Sequence, residues 1–144
     1  MNYLDGDITA HEIINNYNID ELTRVFKEYG EIIHSKKLSE FIIKTRSKKT
    51  IDTNFELIEV IRNSGINFRS KKIHFATQAF QALRIEANKE IINLNKFLNK
   101  VHSFIKKKGY LAIISFHSLE DRVVKNYFNS NCFRKNHIFN NNLD

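Results

Sequence analysis

The stretch SFHSLED, Ser115 to Asp121, crowds groups that take or give protons into seven positions. His117, Ser118, Glu120 and Asp121 are the candidates for chemistry, with Ser115 and Arg122 beside them. An imidazole and two carboxylates can accept a proton from a bound nucleophile, provided something holds that nucleophile within hydrogen-bond reach. A Ser, a His and an Asp together also raise acyl hydrolysis. Geometry argues against it: a nucleophile elbow needs glycines around the serine, and triad members this close in sequence seldom converge. His74, His102, His117 and His137 show no metal-ligand spacing, so no metal centre is expected. A plainer reading fits two of the residues equally well. Ser118 can cap a following helix, and Asp121, three positions on, completes a capping-box spacing. His117 fits a cap less readily.

A second cluster is HFATQAFQALRIEANKE, His74 to Glu90. Read as a helix, one face is apolar and the other carries Gln78, Gln81, Arg84, Asn88 and Glu90. Side-chain amides can read base edges and a guanidinium can hold a phosphate, so RNA contact is one reading. An ordinary solvated helix face is the other. Arg69, Lys71 and Lys72 just upstream add positive charge.

Helices are the elements that must position these groups. Thr9 can cap a helix carrying Ile13 and Ile14, and the Asn18–Glu21 and Thr53–Glu56 pairs have capping-box spacing. Leu22, Val25, Phe26 and Tyr29 share one face, with Gly30 at the end. Leu38, Phe41 and Ile42 mark a third helix before a basic stretch from Lys44 to Lys49. Leu57, Ile58 and Ile61 mark a fourth, and Gly65 sits where a C-cap belongs. From Phe80 to Ile105 apolar residues step by three and four, one long stripe with a break near Asn88. Then the pattern changes. Leu111 to Ile114 are consecutively apolar, which reads as one β-strand buried on both faces, ending at the SFHSLED cluster. Helical spacing resumes with Leu119, Val123 and Phe128. A strand needs neighbours for its backbone groups, and the only others on offer, Phe41–Ile43 and Ile66–Phe68, are weak. The expectation is a sheet completed by sequence outside this chain.

Composition admits a polyanionic partner without demanding one: 23 Lys and Arg stand against 16 Asp and Glu, a net charge of +7. The single cysteine, Cys132, excludes an internal disulfide and suits a cytoplasmic setting. No run approaches the roughly 18 apolar residues of a membrane span, so no membrane partner is expected. There is no Gly-rich phosphate or nucleotide loop.

Taken together, HFATQAFQALRIEANKEI (74–91) and KGYLAIISFHSLEDRVVK (108–125) resemble two strings of the MraW-type 16S ribosomal RNA (cytosine-N4)-methyltransferase family, close to HPATRxFQALRIxVNxEL and GGRLxIISFHSLEDRxVK. VFKEYGE, Val25 to Glu31, is similar to the family's helical region. The resemblance stops near Phe128 and reads as the central and C-terminal portion only, a fragment, split-gene product or decaying copy. It implies an α/β fold: a partial Rossmann-like S-adenosylmethionine-dependent methyltransferase domain with an inserted all-helical substrate domain, the chain itself mostly helical with one clear strand. Residues 1–70 would be the helical insert. Residues 71–128 would supply a long helix, the fifth strand and the next helix, and 129–144 an Asn-rich tail.

By the same resemblance, His117, Ser118, Glu120 and Asp121 would stand near a target cytidine amine. Arg69, Lys71, Lys72, His74, Gln78, Gln81, Arg84 and Asn88 would face the RNA or brace the cleft. The cofactor implied is S-adenosylmethionine, with its principal binding segments absent, so no cofactor residue carries over. The partners implied are 16S ribosomal RNA or the small ribosomal subunit, and a separate N-terminal polypeptide. Phe75, Gln78 and Ala87 depart from the family's Pro, Arg and Val; loss of the Arg removes a fixed charge and a bidentate donor. The rival reading is a non-enzymatic basic helical module that binds RNA.

Overall fold

The computed structural model describes residues 8–66 and 76–131, and these are helical or irregular throughout. Seven α-helices follow in order: α1 (Ala10–Asn16), α2 (Ile19–Glu28), α3 (Ser35–Arg46), α4 (Asn54–Asn63), α5 (Thr77–Ala87), α6 (Glu90–Val101) and α7 (Ser118–Asn131). The chain divides into two compact units, Met1–Glu90 and Ile91–Asp144. No described helix is long and apolar enough to cross a membrane.

Helix starts in the first unit are fixed by reciprocal caps. The Thr9 hydroxyl accepts from the Glu12 amide at 3.1 Å, and Glu12 Oε2 accepts from the Thr9 amide at 2.7 Å. Asn18 with Glu21 and Thr53 with Glu56 repeat the arrangement on α2 and α4. Each satisfies amide donors that the first helical turn leaves unpaired. Gly65, one past the C-cap of α4, adopts φ +62°, a conformation costly for any residue with a Cβ.

The core of this unit draws Ile13 and Ile14 from α1, Leu22, Val25 and Phe26 from α2, Leu38 and Ile42 from α3, Leu57 and Ile61 from α4, and Leu83 from α5. α2 packs on both α3 and α5, and α1 on α5. The turn after α2 presses against α5: a Cβ on Gly30 would lie 2.8 Å from the Phe26 carbonyl oxygen, 3.0 Å from that of Gln78 and 3.2 Å from Ala82 Cβ.

Polar bridges tie the short first helix in place. Arg46, at the end of α3, donates to the carbonyls of Ile14 and Tyr17, at the C-terminal end of α1. Asn15 pairs both ways with the Ile51 backbone, donating at 2.9 Å and accepting at 3.0 Å. His11 Nε2 meets Asp52 Oδ1 at 3.0 Å. Of the basic stretch 44–49, Arg46 is therefore a cap, and Lys49 joins Glu56 at 2.5 Å. With two backbone amides also donating to it, the Glu56 carboxyl is held down to about 2, Lys49 being the largest cause.

The apolar stripe is interrupted at Asn88–Lys89, where Lys89 takes φ +52° and α5 gives way to α6. One expectation fails: the described residues hold no strand, so neither the single strand nor the partial Rossmann-like sheet is present among them. Residues Leu111–Ser115 are irregular, and Leu111 and Ile113, half-buried, alternate with exposed Ala112 and Ile114. Tyr110, Ile114 and Phe116 are 99%, 81% and 88% exposed. No partner strand stands beside it among the described residues: Phe41–Ile43 lies inside α3, and Ile66–Phe68 falls largely outside them. A ladder cannot form on one side alone. In the second unit the buried apolar residues include Leu98, Val101, Leu119 and Val124.

Candidate functional site

At the start of α7 the expected cap and the observed one differ. Ser118 is the first helical residue, and His117 before it supplies the cap. His117 Nδ1 accepts from the Glu120 amide at 3.3 Å, while Glu120 Oε2 accepts from the Phe116 amide at 2.8 Å. This is the logic of a capping box moved one residue upstream, with imidazole in the hydroxyl's place. An accepting Nδ1 puts the imidazole proton on Nε2, which lies 3.5 Å from Glu120 Oε1. Asp121 turns the other way and pairs with Lys125 Nζ at 2.8 Å, one helical turn on. The four residues are brought together, but His117 and Glu120 are engaged in starting the helix. Ser118 is exposed.

On α5, Gln78 and Gln81 are half-buried and Arg84 and Asn88 exposed. Neither glutamine amide makes a side-chain hydrogen bond among the described residues, so both are available to a ligand. Arg84 is occupied: its Nε meets Glu90 Oε1 at 2.9 Å, and a second nitrogen meets Oε2 at 3.2 Å. Asn88 donates to the same carboxylate at 3.0 Å. A phosphate reaching Arg84 would have to compete with this bidentate pair. Arg69, Lys71, Lys72 and His74 lie outside the described residues, as does Phe75.

Glu86, on the opposite side of α5, is a residue that the motif reading passes over. Its side chain is only 12% exposed and one oxygen serves two partners, Arg24 at 2.5 Å and the Tyr17 hydroxyl at 3.0 Å. Arg24 also lies 5.7 Å over the Tyr29 ring. Burial, then the bond to Glu86, pushes the Tyr17 phenol up to about 12. A signal was there to read: Ala79, Ala82, Leu83 and Glu86 share one helical face, so Glu86 is an acid on an apolar stripe.

The described residues do not fit S-adenosylmethionine. Gly30 abuts two carbonyls, Gly65 ends α4, and a Cβ on Gly109 would sit 2.8 Å from Ile105 Cγ2. None of the three opens a backbone cradle, and no strand end is present to line one.

Comparison with known proteins sets these features in a family. The chain is 41% identical over 129 residues to the ribosomal RNA small subunit methyltransferase H of Brachyspira hyodysenteriae, covering 89% of this chain and 43% of that protein. The proteins of the same name from Halothermothrix orenii and Campylobacter jejuni are 46% and 47% identical, over 85% and 86% of this chain and 40% and 39% of their own lengths. The chain thus spans about two fifths of these relatives. The family profile described as the MraW methylase family matches residues 2–139. That corrects the motif-based resemblance, which stops near Phe128 and treats the chain as a portion of the family pattern. The match runs through nearly the whole chain. With 2–139 of 144 residues matched, the chain belongs to the MraW methylase family.

Proposed function

We propose that this chain provides the RNA-facing part of an S-adenosylmethionine-dependent methyltransferase of small-subunit 16S ribosomal RNA, acting on the N4 amine of a cytidine. The observation that carries the reading is the family match over residues 2–139, with relatives at 41–47% identity named for that RNA subunit. The net charge of +7 and the unoccupied amides of Gln78 and Gln81 support RNA contact on the first unit. Gln78, Gln81, Arg84 and Asn88, with Arg69, Lys71, Lys72 and His74, are assigned to the RNA. His117, Ser118, Glu120 and Asp121 are assigned to the edge of the nucleotide site. There both carboxylates are engaged, Glu120 by the Phe116 amide and Asp121 by Lys125, so either must exchange that partner to accept a proton. The methyl donor is held by residues other than those described.

A second reading, RNA binding without catalysis by this chain, is favoured by the lack of a cofactor cradle. Two measurements test what the readings share. Titration calorimetry with S-adenosylmethionine is expected to show no micromolar binding, and such binding would refute our placement of the donor site. Fluorescence anisotropy with a labelled single-stranded segment of 16S RNA is expected to show affinity that falls steeply with salt. Salt-independent or absent binding would refute the RNA-facing role itself.

A further inference from the structure

A cavity of about 470 Å³ opens between α3 and α4, within the first unit. Its apolar wall is Phe41, Ile51, Phe55 and Val60. Phe55, in the first turn of α4, is 81% exposed, so its ring face is open to a ligand. Asn63 lines the same cavity, and its amide makes no hydrogen bond among the described residues. Two carboxylates border the site, yet both are compensated: Glu56 by Lys49 at 2.5 Å, Glu59 by Arg62. Three lysines that do not line it, but neighbour its lining residues along the chain, face no carboxylate within ion-pair distance among the described residues. Lys37 stands one helical turn before Phe41, its Nζ 3.9 Å from where a Cβ on Gly65 would lie. Lys44 precedes the lining residue Thr45, and Lys48 precedes Lys49; all three lysines are exposed.

An open cavity with an exposed aromatic, one unengaged amide and cations on α3 and in the turn after it suits one ligand class. We propose that this groove holds an unpaired nucleobase of single-stranded RNA. The base stacks on Phe55, the Asn63 amide meets its edge, and Lys37, Lys44 and Lys48 hold the flanking phosphates. Stacking tolerates any base because each has a π-face, whereas the amide adds preference. A duplex keeps its bases stacked on one another and cannot enter. The inference rests on the RNA-facing role proposed above and adds a site outside α5 and α7.

The test uses the full chain and a labelled 12-nucleotide single-stranded RNA of mixed sequence, with the same sequence as a duplex. The chain contains no Trp, so Phe55→Trp places the only tryptophan at the groove, where selective excitation separates its emission from that of the tyrosines. Single-stranded RNA should quench it at saturation and the duplex should not. Phe55→Ala should weaken single-strand binding about tenfold, the fold-change expected for one lost stacking contact, and Phe55→Tyr should restore it. Lys44→Gln with Lys48→Gln should lower the salt slope by about 1.4, two phosphate contacts at about 0.7 each. Because Phe55 is mostly exposed, unchanged far-ultraviolet circular dichroism is expected for its variants. Salt-dependent binding that Phe55→Ala changes by less than about twofold, with no quenching in Phe55→Trp, overturns this site and leaves the RNA-facing role standing. Equal binding of duplex and single strand overturns it as well. No salt-dependent binding by the unmodified chain overturns both.

Discussion

Replacing Glu86 tests whether one buried carboxylate latches α5 onto α1 and α2. Glu86 Oε1 takes the Tyr17 hydroxyl at 3.0 Å and the Arg24 guanidinium at 2.5 Å. Hydrogen bonds to a charged group contribute roughly 1.5–3 kcal/mol when buried. The Tyr17 bond is largely shielded and is set at about 1.5 kcal/mol. Arg24 is 39% exposed, so solvent screening reduces its share to about 1 kcal/mol. Glu86→Ala should therefore cost about 2–3 kcal/mol, the sum of the two bonds. Glu86→Gln keeps an acceptor for Tyr17 and loses the charge, and should cost about 1 kcal/mol. Urea unfolding of the full chain, followed at 222 nm, gives these differences if the m-value is unchanged. A double-mutant cycle of Arg24→Met with Glu86→Gln should return a coupling of about 1 kcal/mol. A Glu86→Ala cost under about 0.5 kcal/mol, with no coupling to Arg24, would refute the latch and return Glu86 to an ordinary surface acid.

Gly30→Ala should destabilise by about 1–3 kcal/mol through overpacking, because the added carbon meets two fixed carbonyls rather than a flexible side chain; thermal unfolding reads it, and a neutral result means the turn can move off α5. Tyr17 has a folded pKa raised above its unfolded value, so its contribution is full below about pH 10 and disappears as pH rises to about 12. Absorbance at 295 nm should show one tyrosine ionising near pH 12, and Glu86→Gln should bring it down. His117→Ala should loosen the start of α7 by about 1 kcal/mol and His117→Asn should restore it, since asparagine also caps. Exchange of the Glu120 amide reads this directly, and equal exchange in both variants would remove the capping role.

How much was legible depends on whether the controlling interaction is local. Thr9, Asn18 and Thr53 announce their helices because cap and partner lie three residues apart, and Gly65 ends α4 by its own backbone freedom. The start of α7 was misread by one residue because imidazole is not among the usual capping groups. The apolar run 111–114 could not disclose its pairing, since a strand is defined by a neighbour that may be far away or absent in sequence. Arg46 looked like one more cation in a basic stretch, although its partners sit 29 and 32 residues earlier. On α5 the polar stripe was visible, but its sharing out was not: Glu90 claims Arg84 and Asn88 and leaves Gln78 and Gln81 unengaged.

The shortness of α1 has a consequence for its motions. Seven residues make about two turns, well below the length at which a helix persists alone in water. It survives because Thr9 and Glu12 close one end while Arg46 of α3, and the Ile51 backbone beyond it through Asn15, secure the other. Its amide protons thus have no private route to deuterium. They should exchange at the pace of the whole bundle's opening, and a single change at Arg46 would give this segment a faster clock of its own.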